Sequence, residues 1–373
     1  MEALHLISGG DSGGAMTHVL TLLSQLNTDG QALLLTLGDG PLPREAKRRG
    51  IPCRVLTGGF LSQLRQTEAA CRRSGARVLH CHGSRANLCG ALLGRRLACP
   101  VISTVHSDPR LDYRGRPAAA LCFGGLNALA LRRMDALVCV SRSMAETMAA
   151  RGFPEGRLFT IYNGLDPHPP EGTVRRADWR AEHGIPPSAL LVGTAARMEA
   201  VKDLPTLLRG FAALAKEDKN AYLALAGTGR EEASLRRLGK ELGLEERLRF
   251  LGWVEDMDSF FSALDLFALP SRSETFPFVL LSAARCGLPV VAAEAGGVPE
   301  LIRHETTGLL FPPGDSAALG RALIALSGDA AQRAALGAAL RERGRDFSPR
   351  AMGEKMREIY KEIRNHQIEG ERQ

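Results

Sequence analysis

This 373-residue chain lacks most of the features that announce a function class outright. No apolar run approaches the ~18 to 20 residues of a membrane-spanning helix, which excludes one. The opening stretch, MEALHLISGG, has neither the basic region nor the cleavage site of a signal peptide, so the expected location is the cytoplasm. The eight cysteines (Cys53, Cys71, Cys81, Cys89, Cys99, Cys122, Cys139 and Cys286) form no CxxC pair and sit mostly in apolar segments. That argues against a disulfide or zinc framework and for reduced core thiols. Aromatic residues make up only 5% of the chain and do not interleave with the basic ones. No nucleic-acid module is recognisable, and no nucleic-acid partner is expected.

What is present is the composition of a globular protein, 45% hydrophobic and 24% charged, with length enough for two domains that each bury a core. The formal charge of +7 is unevenly spread. Residues 1–168 hold 20 Lys and Arg against 12 Asp and Glu, a net of +8, whereas the remainder holds 28 against 29. A basic N-terminal half suits an anionic membrane surface or a phosphate-bearing acceptor; a merely solvated basic face is the plain alternative.

Short β-branched or Leu-rich runs alternate with segments of helical period, the order of parallel sheets covered by helices on both faces. In the first half the runs are 3–8, 32–37, 78–82, 101–105, 136–140 and 158–162; in the second, 190–195, 222–226, 249–251, 266–269, 289–293 and 308–311. The turn-rich stretch 163–172 between them breaks both periods and reads as a linker. The predicted division is a doubly wound α/β domain over 1–168, a second over 173–347, and a terminal helix and tail over 348–373. That helix, started by Ser348 and Pro349, is expected to pack back on the first domain. Such a fold serves dehydrogenases, epimerases, binding proteins and transferases alike.

Strand-end motifs narrow the choice. Gly9-Gly10-Asp11-Ser12-Gly13-Gly14 follows the first strand and opens a helix, where backbone N–H groups favour an anion or sugar hydroxyls. It is not the G-x-G-x-x-G fingerprint, and no acidic residue follows to hold a ribose, which weakens nicotinamide chemistry. Arg197, just beyond Gly193-Thr194-Ala195-Ala196, is followed by Lys202, two cations able to converge on a diphosphate. Glu274, in Ser271-Arg272-Ser273-Glu274-Thr275-Phe276-Pro277, can accept sugar hydroxyls or simply cap the next helix. Gly296 and Gly297 let a phosphate approach the backbone.

Taken together, GTAARMEAVKD, SRSETFPFVLLSAARCGLPVVAAEAGGVPELI and IYNGLD resemble the large bacterial family of retaining GT-B glycosyltransferases with a Glu, seven residues, Glu signature (family 4, group 1). The resemblance implies two Rossmann-like domains facing across a cleft, the first binding the acceptor and the second a nucleotide-sugar. By that match Arg197 and Lys202 hold the donor diphosphate, Gly296 and Gly297 form its phosphate loop, and Glu274 contacts the donor sugar. Gly227, Trp253, Val254 and Phe276 border the donor, Gly13 and Gly14 lie near the phosphates and acceptor, and His106 stands beside the transferred sugar.

Two residues depart from the family. Ser282 stands where the second signature Glu would hold the ribose, and a hydroxyl lacks that carboxylate's charge and bidentate reach. Pro277 replaces a common Gly; it suits a first helical turn but offers no N–H. The implied reaction is a retaining hexosyl transfer from a donor such as a UDP-sugar to a hydroxyl of a glycan, glycolipid or lipid-linked acceptor in cell-surface polysaccharide synthesis. Its expected place is the cytoplasm, with a peripheral position at the inner face of the membrane as the further option. With no D-x-D motif in a recognisable strand-end place, cations replace a metal, and no cofactor beyond the nucleotide-sugar co-substrate is expected. The alternatives are a UDP-sugar epimerase of the same fold and a non-catalytic partner subunit.

Overall fold

The computed structural model describes every residue except 12, 28–29, 111–123, 169–173 and 371–373, with side chains described as far as residue 365. Cys122, Ser12 and the later part of the 163–172 linker lie outside the described residues. The chain divides into two compact units, Met1–Gly164 with Pro349–Gln373, and Leu165–Ser348.

The first unit is built on seven parallel strands: β1 (Ala3–Ser8), β2 (Ala32–Leu37), β3 (Cys53–Leu56), β4 (Val78–His82), β5 (Val101–Val105), β6 (Ala136–Cys139) and β7 (Leu158–Thr160). Their spatial order is β3-β2-β1-β4-β5-β6-β7. β4 and β5 are buried at every residue, which explains why they read as unbroken apolar runs rather than as alternation. One face of this sheet packs on the helices Gly14–Leu26 and Pro349–Gly370 through Val19, Leu23, Met352, Met356, Ile359 and Tyr360. The terminal helix runs to Gly370, beyond the Ile363 at which the apolar period stops.

The second unit repeats the plan with six parallel strands: β8 (Leu190–Ala195), β9 (Ala221–Ala226), β10 (Leu248–Gly252), β11 (Leu266–Leu269), β12 (Val290–Ala293) and β13 (Leu309–Phe311), in the order β10-β9-β8-β11-β12-β13. Sequence periodicity locates all of these strands but misses β3. That strand is a four-residue edge with exposed Arg54 in its middle, too short and too wet to read as a buried run.

Both orders reverse direction once, between β1 and β4 and between β8 and β11. At such a switch point the loops leaving the two strands part to opposite faces and open a crevice at their C-terminal ends, where ligands of doubly wound sheets bind. The seven described cysteines carry free thiols, and burial pushes those of Cys71 and Cys139 up to about 12.

Candidate active site

At the second unit's switch point, the loops leaving β8 and β11 are tied together. The Arg272 amide donates to the Val201 carbonyl at 2.9 Å, and its guanidinium Nε donates to Asp203 Oδ2 at 2.8 Å. Lys202 Nζ donates to Glu274 Oε1 at 2.6 Å, with both side chains mostly shielded from solvent. Lys202 is therefore already neutralised by a carboxylate. Arg197 is exposed and has no ion pair among the described residues, so it is the uncompensated cation of the pair.

The loop after β12 closes on Glu274 from the other side. Gly296 takes a left-handed conformation (φ 55°), and a Cβ there would lie 1.8 Å from the Glu274 carbonyl oxygen, so only glycine fits. That same carbonyl accepts the Gly297 N–H at 3.1 Å. This corrects the expectation that the Gly297 amide faces a phosphate. Its proton is spent, and the helix it opens, Val298–Leu301, is a single turn; the exposed Gly296 amide has no partner among the described residues.

Gly227 lies at the end of β9, where an added Cβ would meet the Ala196 carbonyl at 2.0 Å, and its N–H donates to the Gly252 carbonyl at 2.6 Å. Gly252 is followed by exposed Trp253 and half-buried Val254. Residues 196–203, Gly227, Trp253, Glu274 and Gly296 thus share the C-terminal edge of one sheet. The Phe276 ring is buried against Phe347, centroids 5.0 Å apart, and so anchors the Glu274 loop. Pro277 is the N-cap, with extended backbone, rather than part of the first turn of the helix Phe278–Cys286. Ser282 stands partly exposed within that helix, its hydroxyl without a hydrogen bond among the described residues. The triplet Asp256-Met257-Asp258 is committed elsewhere: Asp256 caps its own helix through the Ser259 amide, and Asp258 pairs with Arg285.

The first unit's switch point is different in kind. Gly13 and Gly14 are exposed at the start of the helix Gly14–Leu26, and the Gly13 carbonyl accepts the Thr17 amide at 3.0 Å. Beneath them, strand register places His5 of β1 opposite His80 of β4, with His82 two residues on and Thr104 of β5 beside it. These side chains join by hydrogen bonds: Thr104 Oγ1 to His80 Nε2 at 2.7 Å, His80 Nδ1 to the Tyr360 hydroxyl at 2.8 Å, and that hydroxyl to His5 Nε2 at 3.1 Å. His5 Nδ1 then meets His82 Nε2 at 3.1 Å, and His82 Nδ1 meets His106 Nε2 at 3.0 Å. His18 stands beside them with Nδ1 2.8 Å from Asn163 Oδ1. Burial lowers His5 to about 3 and His18 to about 4, and holds His80, His82 and His106 well below the ordinary imidazole range. Only His106, at the end of β5, reaches partly to the surface.

Sequence motifs point to His106 alone of this group and give no sign of His5, His18, His80, His82, Asp11 or Tyr360. Asp11, half-buried in the β1 loop, has its carboxyl raised by desolvation. Elsewhere in the first unit a cavity is lined by Arg110, Arg132 and Arg151 together with Leu131, Met148 and Phe153.

Solved structures share this two-sheet GT-B fold, among them Anabaena HepE in complex with UDP-glucose (TM-score 0.84, 23% identity, 96% of this chain and 99% of that one). By sequence, residues 12–168 match the family described as Glycosyltransferase Family 4 and residues 175–343 the one described as Glycosyl transferases group 1, so the chain belongs to this glycosyltransferase family. N-acetyl-alpha-D-glucosaminyl L-malate synthase of Bacillus anthracis is 27% identical over 306 residues, 80% of this chain and 73% of that protein. The O-antigen biosynthesis glycosyltransferase WclY of Escherichia coli is 29% identical over 222 residues, 58% of this chain and 60% of that protein. Among the described residues no helix is long and apolar enough to cross a membrane.

Proposed function

We propose that the protein transfers a hexosyl group, with retention of its α configuration, from a UDP-sugar to a hydroxyl of a glycan or lipid-linked acceptor in cell-surface polysaccharide synthesis. The observation that carries this reading is the strand-end cluster of Arg197, Lys202, Glu274 and Gly296. It sets an uncompensated cation and an unpartnered backbone N–H beside a carboxylate that can accept sugar hydroxyls. UDP-glucose in the HepE complex supports uridine as the base, and the O-antigen role in the name of WclY supports a polysaccharide pathway.

Leaving-group charge is the main barrier to such a transfer. Arg197 and the Gly296 N–H stabilise the departing diphosphate, a preorganised electrostatic effect worth ~3 kcal/mol per well-placed donor. Glu274 shares itself between Lys202 and the sugar, which keeps Lys202 aimed at the phosphates. The acceptor attacks from the leaving-group side and its proton passes to the departing phosphate, so no carboxylate nucleophile is required and no metal takes part. His106 contacts the transferred sugar, while Ser282 makes a weaker ribose contact than a carboxylate would. The cavity lined by Arg110, Arg132 and Arg151, the last already paired with Asp108, and the basic first unit suit an anionic, partly apolar acceptor at a membrane face.

Incubation with a UDP-sugar panel and a hydroxyl acceptor in EDTA tests the reading, with the product linkage assigned by NMR. An α-linked product is expected. A β-linked product, an epimerised donor without acceptor, or activity only on adding Mn or Mg would each overturn it.

A further inference from the structure

The buried histidines form one line, from Thr104 through His80, Tyr360, His5 and His82 to His106. A neutral imidazole has one N–H and one lone pair, so each ring must donate in one direction and accept from the other. The line therefore admits two orders in which Tyr360 both accepts and donates; a third, with His80 and His5 both donating to Tyr360, strands the buried Tyr360 hydroxyl proton. In the first, Thr104 donates to His80, His80 to Tyr360, Tyr360 to His5, His5 to His82 and His82 to His106 Nε2. His106 then carries its own proton on Nδ1. In the second, every proton is reversed and Thr104 must accept from His80. That order strands the Thr104 hydroxyl proton, because Thr104 is buried and its side chain has no other hydrogen bond among the described residues.

We propose that this line is a tautomer lock: Thr104, acting through His80, Tyr360, His5 and His82, holds His106 as the neutral Nδ1–H form. His106 then serves the sugar as a hydrogen-bond donor and not as a general base. Its contact with the sugar rests on the function proposed above; the lock itself does not. Thr104 and Tyr360 are positioning residues, the latter brought in by the terminal helix from the far end of the chain. The line orients protons and does not conduct them, since releasing one from His106 would leave Thr104 an alkoxide. Burial supports the neutral forms, because a proton added anywhere along the line would be a desolvated charge. His18 is fixed independently: Asn163 Oδ1 accepts its Nδ1–H, which leaves a bare Nε2 lone pair edge-on to His106, ring centroids 4.7 Å apart. Nitrogens of His18, His82 and His106 lie within 4.8 Å of one another, close enough for a metal ion. In this reading the lone pair of His106 Nε2 is already taken by the proton of His82.

The test is two-bond nitrogen–proton correlation NMR on protein labelled at histidine nitrogen, which separates Nδ1–H, Nε2–H and imidazolium forms. The native spectrum should show His106 as a single neutral Nδ1–H tautomer. Thr104→Val, isosteric on the strand, should bring in the Nε2–H form, Tyr360→Phe should do the same from the far side of His5, and Thr104→Ser should restore the native pattern. Transfer by Thr104→Val should fall in kcat in proportion to the lost Nδ1–H population, with KM unchanged. His106 found as Nε2–H in the native protein, an unaltered His106 in Thr104→Val, or a stoichiometric metal retained through chelation would overturn the lock. If the lock is seen but His106→Ala transfers at the native rate, the lock stands and the assignment of His106 to the sugar fails.

Discussion

At the β8–β11 switch point Arg197, Lys202, Asp203, Arg272 and Glu274 are all charged and all sit in the segments that follow the strands, whereas at the β1–β4 switch point the chemistry is neutral imidazole carried largely on the strands themselves. The difference follows from desolvation. A formal charge at a strand end must keep a partner or water, so it is placed beyond the strand, and the structure pairs four of the five. An imidazole can give up its proton and be buried, provided each nitrogen is satisfied by its neighbour. The same strand order thus carries a paired, charged loop cluster at one switch point and a neutral, hydrogen-bonded imidazole line at the other.

The largest expected effect breaks the charged half. Glu274→Ala should cut transfer by more than about a hundredfold, ~2.7 kcal/mol, since it removes the sugar contact proposed for this carboxylate and leaves Lys202 without its partner. Arg197→Ala and Lys202→Ala should each cost at least about tenfold, ~1.4 kcal/mol. Native turnover in steady-state assays of all three would remove the site.

The neutral half is broken by acid. With folded values of about 3 and 4 against an ordinary 6.5, His5 and His18 stay unprotonated when folded while the unfolded chain takes up protons. Their contribution is complete above pH 6.5 and is lost as the pH falls from there toward those values, at up to about 1.4 kcal/mol per pH unit for each ring. Urea midpoints measured from neutral pH downward should fall accordingly, and a midpoint that stays level to about pH 5 would contradict neutral burial.

A smaller effect is expected at Gly296→Ala, where the left-handed backbone and the Glu274 carbonyl both oppose a Cβ. We expect a loss of ~1 to 3 kcal/mol in stability together with weaker nucleotide binding. A native melting temperature and native affinity would show that the loop yields freely. The smallest effect contrasts the units as wholes. Anionic vesicles should sediment the protein at low salt and release it at high salt, through the net +8 of residues 1–168. No binding at low salt favours a soluble acceptor.

The charged site was largely legible in the sequence because loop residues keep a local order: Arg197, Lys202, Glu274 and Gly296 stand in short motifs after strand-like runs. What local order does not contain is which group faces which. It could not show that Lys202 is spent on Glu274, that the Gly297 N–H is spent on the Glu274 carbonyl, or that the Phe276 ring points into the core. The histidine line was harder. His5, His80 and His82 each look like isolated core histidines within apolar strands, and only the pairing of β1 with β4 sets them side by side. Tyr360 belongs to a helix whose docking face depends on the packed unit, not on neighbouring sequence.

Whether Arg197 carries a metal-free diphosphate site is decided by calorimetric titration of UDP, in the presence of EDTA, into the native protein and into Arg197→Ala. The native protein should bind UDP as tightly with EDTA as without it, and Arg197→Ala should bind at least about tenfold more weakly, ~1.4 kcal/mol. Binding that disappears on chelation, or an Arg197→Ala complex as tight as the native one, would contradict such a site.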